Sequence, residues 1–328
     1  METLKFKTKR TFKTATRNNL IGWAFIAPLA VYFIIFQLLP MILAFFFSLT
    51  DWNGYSADYS FVWFENYWTA LTDRIMFPEF WDSIATTFYY VLLTVPASLV
   101  LSIVIAAMLN SKIKGERLFK TCFYIPAVTA GVAISAMWLY LIDPSRGLVK
   151  VFNDWFGTNY NLLGSRATAL PTLAVMSIWG GLGYNVLIIL SAMKNINTQL
   201  YEACEIDGGG VFKKFFQVTL PGIAPTLFFV VITSTIGGLQ AFDQMRLMTN
   251  GAFETTTIML QIYKLYNNSD QVGLASAMSY LLFLIIVTIT FIQNIIFPSG
   301  GDEKIRRRRR GGGNARKLML ELQKEKAL

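Results

Sequence analysis

Two carboxylates, Glu202 and Asp207, are the residues whose type and spacing first suggest chemistry. They stand in the run Tyr201-Glu202-Ala203-Cys204-Glu205-Ile206-Asp207-Gly208-Gly209-Gly210, set between long apolar stretches. A carboxylate pair can act as general acid and base, but that work also needs a nucleophile, a metal or a third convergent group. None stands nearby. The chain contains no histidine, which excludes histidine-based proton transfer and histidine-ligated metal sites. Its two cysteines, Cys122 and Cys204, form no CxxC and cannot build a disulfide framework. There is no Gly-Lys dipeptide and so no phosphate-binding loop of the G-x-x-x-x-G-K-[ST] kind. Catalysis has no support here, and docking or ordinary loop structure are the readings left for the pair.

The elements that must position these residues follow from periodicity. Phe212, Phe215 and Phe216 fall at i, i+3 and i+4 and share one helical face, with Lys213, Lys214 and Gln217 on the other. Gly208 to Gly210 interrupt helix and allow positive φ at an elbow. The stretch predicts two short helices joined by a tight bend and ended by Pro221, lying at a membrane surface.

Around it, composition implies a membrane protein. Of the 328 residues 54% are apolar and 15% charged, and the apolar ones are gathered into long uncharged runs. The runs predict an all-α integral membrane protein with six transmembrane helices: Asn18 to Thr50, Ser83 to Leu109, Thr121 to Ile142, Ala167 to Met193, Thr219 to Phe242 and Gln271 to Pro298. The first is too long for a secretory signal core, and its Pro28 and Pro40 are tolerable in a membrane helix with a kink or local widening. Loop 51–82 is dense in Trp and Tyr, which suits the headgroup level. All but six of the 29 Lys and Arg residues lie in the N-terminal tail, the 112–120 loop, the Glu202 segment or the C-terminal tail. The six are Arg74, Arg146, Lys150, Arg166, Arg246 and Lys264. This bias places both termini and the Glu202 segment in the cytoplasm.

The division predicted is a basic cytoplasmic N-tail over 1–19, a six-span domain over 20–298 with its cytoplasmic loop at about 194–221, and a basic C-tail over 299–328. Arg306 to Arg310 in that tail would anchor to anionic lipid, at about 1 kcal/mol per basic residue near the surface. No nucleic-acid module or aromatic interleaving accompanies the run.

Polar residues within or beside spans are costly and are candidates for a solute path. Tyr184 and Asn185 stand beside Gly180, Gly181 and Gly183; Gln240 and Asp243 lie near the outer end of the fifth run; Tyr280 lies in the sixth. Aromatic faces stack on sugar rings and amides or carboxylates bond hydroxyls. The competing explanation for each is helix–helix hydrogen bonding.

Glu202-Ala203-Cys204, then Asp207-Gly208, then Val218-Thr219-Leu220-Pro221 resembles the EAA signature of permease subunits of bacterial ABC importers. Cys204 and Gly209 stand where that signature usually has alanine, and Gly209 is expected to loosen the elbow. The stretch Leu247 to Ala252 with Thr255-Thr256-Thr257, and the opening around Pro28, Pro40 and Thr50-Asp51-Trp52-Asn53, resemble the carbohydrate-uptake branch. Asn250-Gly251-Ala252 replaces that branch's Gly-Gly-Pro turn. The resemblance implies the type I importer permease fold, sugar as solute, and Glu202, Ala203, Asp207, Gly208 and Phe212 as residues coupling to an ATPase. It also implies partners: two cytoplasmic ATPase copies carrying ATP and Mg, a second homologous permease subunit in a heterodimer, and an extracytoplasmic solute-binding protein. No cofactor is expected in this chain. The alternatives are an ion-coupled secondary transporter, which would want mid-span carboxylates that are missing, and a membrane-embedded enzyme.

Overall fold

A computed structural model describes residues 9–72, 78–111, 115–268 and 271–296. The expected C-tail lies outside these residues, as do 1–8 of the N-tail and Lys112 and Lys114 of the first basic loop. The described chain is helical, with one isolated antiparallel bridge between Thr50 and Phe61. In chain order the helices are α1 (Lys9–Phe33), α2 (Leu39–Ser48), α3 (Glu65–Thr72), α4 (Pro78–Asn110), α5 (Glu116–Val128), α6 (Gly131–Ile142) and α7 (Leu148–Phe156). Then come α8 (Arg166–Lys194), α9 (Thr198–Ile206), α10 (Val211–Lys214), α11 (Leu220–Leu239), α12 (Ile258–Asn268) and α13 (Val272–Ile296).

Five helical stretches among the described residues are long and apolar enough to cross a bilayer: Asn19–Ser48, Glu79–Asn110, Arg166–Lys194, Val211–Leu239 and Val272–Ile296. The third expected span is not one straight helix. It is the pair α5 and α6, bent by 102°, and counting the pair as one gives six crossings. The break falls at Thr129 and Ala130, which take extended backbone. Pro126 weakens the end of α5 because it has no N–H to donate. Gly131 then opens α6 beside the Asp243 carboxylate, 3.3 Å from where a Cβ would stand.

Two prolines are absorbed by widening. A π-turn at Ile34–Leu38 joins α1 to α2 just before Pro40, and another at Phe215–Thr219 joins α10 to α11 just before Pro221. Each closes with an i to i+5 bond, Leu39 N–H to the Ile34 carbonyl and Leu220 N–H to the Phe215 carbonyl. Widening lets the ring in without a break. Pro221 therefore does not end the second short helix as the sequence suggested. Val211 to Leu239 is one continuous rod.

The chain forms two compact units. One holds α1 to α3 with the Leu265–Tyr280 stretch. In it the Asn66 amide donates to the Ser48 and Thr50 carbonyls at 2.9 and 2.8 Å, and Trp52 stacks on Phe47 at 4.2 Å. The Gly273 N–H bonds the Trp52 carbonyl at 3.0 Å. The other unit holds α4 to α11, most of α12 and the remainder of α13. Its core includes, among the described residues, one cluster around Leu173, Met245 and Leu260 and another around Val186, Ile189 and Ile223. At Gly183 a Cβ would fall on the Phe123 carbonyl, so α5 and α8 meet backbone to backbone. Only glycine permits that approach.

Candidate functional site

The Glu202 segment is built as an elbow. Asn197 caps α9 by accepting the Gln199 N–H at 3.0 Å. The helix closes through the Gly208 N–H on the Glu205 carbonyl at 2.9 Å and the Gly209 N–H on the Cys204 carbonyl at 2.7 Å. Gly208 takes a left-handed φ of 71°, the geometry that usually ends a helix on glycine. Gly209 is buried, and a Cβ there would strike Cys204 Sγ and its carbonyl oxygen. The elbow is therefore tighter at Gly209, not looser. Both arms are tied: Tyr201 and Thr219 hydroxyls lie 3.0 Å apart, Lys214 pairs with Glu205, and Lys213 donates to the Asp207 carbonyl at 3.2 Å.

What this elbow presents outward is a group of large apolar side chains set among charges. Ile206, Val211 and Phe212 are 87%, 81% and 80% exposed, and Glu202, Ala203, Asp207 and Gly208 are exposed beside them. Phe215 is half-buried and edge-on to Phe216, which is exposed like Phe212. The loop is anchored at its base by Glu116, whose carboxylate accepts from Lys120 at 2.6 Å and from Lys194 at 2.8 Å.

A second feature lies among the crossings of the larger unit. A cavity of about 280 Å³ is lined by Tyr90, Thr94, Ser98, Ser177, Asn185, Ser234 and Gln244, with Gly181, Gly237 and Gly238 opening its wall. Asn185 is buried and donates to Ser98 Oγ at 3.2 Å, with Ser234 Oγ at 3.5 Å; the Gln244 amide donates to the Tyr90 hydroxyl at 2.8 Å. Four segments thus converge on hydroxyl and amide groups, and the lining holds no ionisable carboxylate or ammonium.

Of the five path residues suggested by sequence, Asn185 lines this cavity. Tyr184 is exposed and outside the lining. Gln240 and Asp243 are exposed, Asp243 beside Gly131. Tyr280 belongs to the smaller unit and donates to the Met41 carbonyl at 2.6 Å. Sequence reasoning passed over Tyr90, Ser98 and Gln244. The available signal was Gln244 itself, directly after Asp243 and four residues beyond Gln240. Near it, Asn250 and Gly251 take φ of 49° and 81°, a tight turn made by the residue types that favour it.

Residues 66–299 match the family described as "Binding-protein-dependent transport system inner membrane component". The chain belongs to that family. It is therefore a non-enzymatic, multi-pass component of the inner membrane, a permease subunit of an ABC transport system. Among its relatives, the "Probable ABC transporter permease protein YesP" of Bacillus subtilis is 30% identical, with 85% of this chain and 91% of the relative covered. The "Multiple sugar-binding transport system permease protein MsmF" of Streptococcus mutans is 31% identical, over 84% and 94% respectively. Among solved structures, a chain of a bacterial alginate ABC transporter, in complex with an alginate pentasaccharide-bound periplasmic protein, superposes with a TM-score of 0.75. That chain is 22% identical, with coverage of 88% of this chain and 96% of the other, and supports the fold.

Proposed function

We propose that this permease imports a carbohydrate and is driven through the elbow between α9 and α10. The observation that carries the reading is the elbow's exposed apolar surface, held rigid by Gly208, Gly209 and the Tyr201–Thr219 contact. A large apolar patch at a rigid bend is a docking surface. On this reading Phe212 fills a groove of a cytoplasmic ATPase, Glu202 and Asp207 set its polar rim, and Ala203 and Gly208 allow close approach. ATP and Mg belong to that partner chain, present in two copies. A second homologous permease subunit completes the path, and an extracytoplasmic binding protein delivers the solute.

The cavity supports sugar as the solute class. Hydroxyl and amide side chains exchange hydrogen bonds with a polyhydroxyl solute, and no charge in the lining has to be neutralised. The same lining offers no ion-coupling carboxylate, which weighs against a secondary transporter. A relative carrying a sugar-binding system name agrees with this class.

The deciding experiment is a gentle-detergent pull-down of the full chain, repeated with Glu202→Lys and Gly208→Asp. The reading expects an ATPase subunit to be lost from both variants while the membrane partner stays. An ATPase that remains bound to both variants would refute the elbow as its dock, and a wild-type chain that brings down no ATPase would refute the importer reading altogether.

A further inference from the structure

Helix α7, Leu148–Phe156, presents three different faces. Val149 packs against the core and Asn153 is buried. Lys150 and Asp154 pair at 2.8 Å on a second side. Leu148, Val151, Phe152, Trp155 and Phe156 recur at i, i+3, i+4, i+7 and i+8, and all are exposed, Trp155 by 79%. At roughly 100° per residue the apolar sector lies opposite the charged pair, with the core-facing residues to one side.

Both ends of α7 are tied between stretches long and apolar enough to cross a bilayer, the α5–α6 pair and α8. The entry from α6 is short, with the Gly147 N–H bonded to the Asp143 carbonyl at 2.9 Å, and a Cβ at Gly147 would fall on the carbonyls of Tyr140 and Leu141. The exit is folded back by Asn153, whose Oδ1 accepts the Thr158 hydroxyl and the Tyr160 N–H, each at 2.9 Å, while its amide donates to the Tyr160 carbonyl at 3.0 Å. Then α8, long and apolar enough to cross a bilayer, begins at Arg166. On α6, the preceding half of a candidate span, Val132, Met137 and Tyr140 are exposed, so the apolar face of α7 follows directly on further exposed apolar residues.

We infer that α7 lies flat in the interfacial layer of the bilayer, with Leu148, Phe152 and Trp155 sunk at the acyl boundary and the Lys150–Asp154 pair toward water. The geometry is that of an interfacial amphipathic helix. Because its polar face is a neutral pair, apolar burial holds it, and zwitterionic lipid suffices. The helix sits at the opposite end of α8 from the elbow, about 43 Å away for 29 residues at 1.5 Å each. It thereby fixes the depth of the span that carries Asn185.

The test uses the full chain with its co-purifying subunits in lipid nanodiscs, in a Cys122→Ser, Cys204→Ala background. Spin labels go singly at Leu148→Cys, Phe152→Cys, Trp155→Cys, Lys150→Cys and Asp154→Cys. Oxygen should reach the first three and a water-soluble nickel chelate the last two, in phosphatidylcholine as in phosphatidylglycerol. Nickel access to every position would overturn the inference, as would exclusion of both reagents from the apolar face, the mark of a covering protein. Oxygen access confined to the anionic lipid would overturn it too. Should the labelled variants fail to insert, quenching by brominated phosphatidylcholine is compared between wild type and Trp155→Phe. A smaller quenched fraction in the variant supports the placement and an unchanged one refutes it.

Discussion

The Gly209 N–H donates to the Cys204 carbonyl at 2.7 Å, and the space a Cβ would need at 209 is filled by Cys204 itself. These are the two positions where the motif usually carries alanine, and here they fit each other: a larger side chain at 204 faces a missing one at 209. Gly209→Ala should therefore strain the elbow by about 1–3 kcal/mol, the usual range for overpacking. Combining it with Cys204→Ala, which removes Sγ, should recover part of that loss. ATPase retention and uptake, measured for both singles and the double, test the coupling; strictly additive losses would refute it.

Asn185→Ala should lower solute uptake without changing assembly, because Asn185 joins Ser98 and Ser234 at the cavity wall. Gln244→Ala should do the same and leave the Tyr90 hydroxyl without its amide partner. Tyr184→Ala, outside the cavity lining, should affect uptake least. Transport assays on vesicles with matched amounts of assembled complex give the ranking.

Gly183→Ala should destabilise the larger unit by about 1–3 kcal/mol, since its Cβ would meet the Phe123 carbonyl. Gly180→Ala, on the same helix with open space around it, should be neutral or slightly stabilising through helix propensity. Thermal unfolding in detergent separates the two.

Lys264 lies outside the spans, and burial pushes its ammonium below the usual lysine range, partly opposed by Glu79. Its Nζ donates to Thr256 Oγ1 at 3.2 Å. A lysine with a lowered folded-state value costs stability while both states are protonated. That cost falls as pH rises from the depressed value toward the unfolded one. Lys264→Met should therefore stabilise the protein at neutral pH, by an amount that shrinks above the depressed value. Melting temperatures of the pair across alkaline pH provide the check.

Much of this architecture is legible in the residues. Long uncharged runs specify spans because the bilayer core tolerates little else, and the order of acid, glycine and proline marks the elbow. Asn250-Gly251 announces its own turn. What is not legible depends on neighbours that sequence does not place. Pro40 itself announces a kink or widening inside an apolar run, but Pro221 follows a polar elbow and reads as a stop although the helix widens and runs through it. The break at Thr129–Ala130 brings Gly131 beside Asp243, a residue far along the chain. The cavity escapes notice because Tyr90, Ser98 and Gln244 are unremarkable one by one and acquire meaning through convergence with Asn185.

The unbroken run from Val211 to Leu239 makes the elbow's second arm and the cavity wall parts of one rod. Phe212 stands at one end, while Ser234, Gly237 and Gly238 stand at the other. A helix is stiff along its axis, so if the elbow docks an ATPase as proposed, the rod is a lever: a displacement at Phe212 reappears among the cavity's hydroxyls unless something in between yields. The π-turn at Phe215–Thr219 is where the hydrogen-bond ladder is looser, and the Tyr201 hydroxyl braces it at Thr219. On the proposed coupling, removing that brace, as in Tyr201→Phe, would leave the elbow's exposed face in place and let the stroke dissipate before it reaches the cavity.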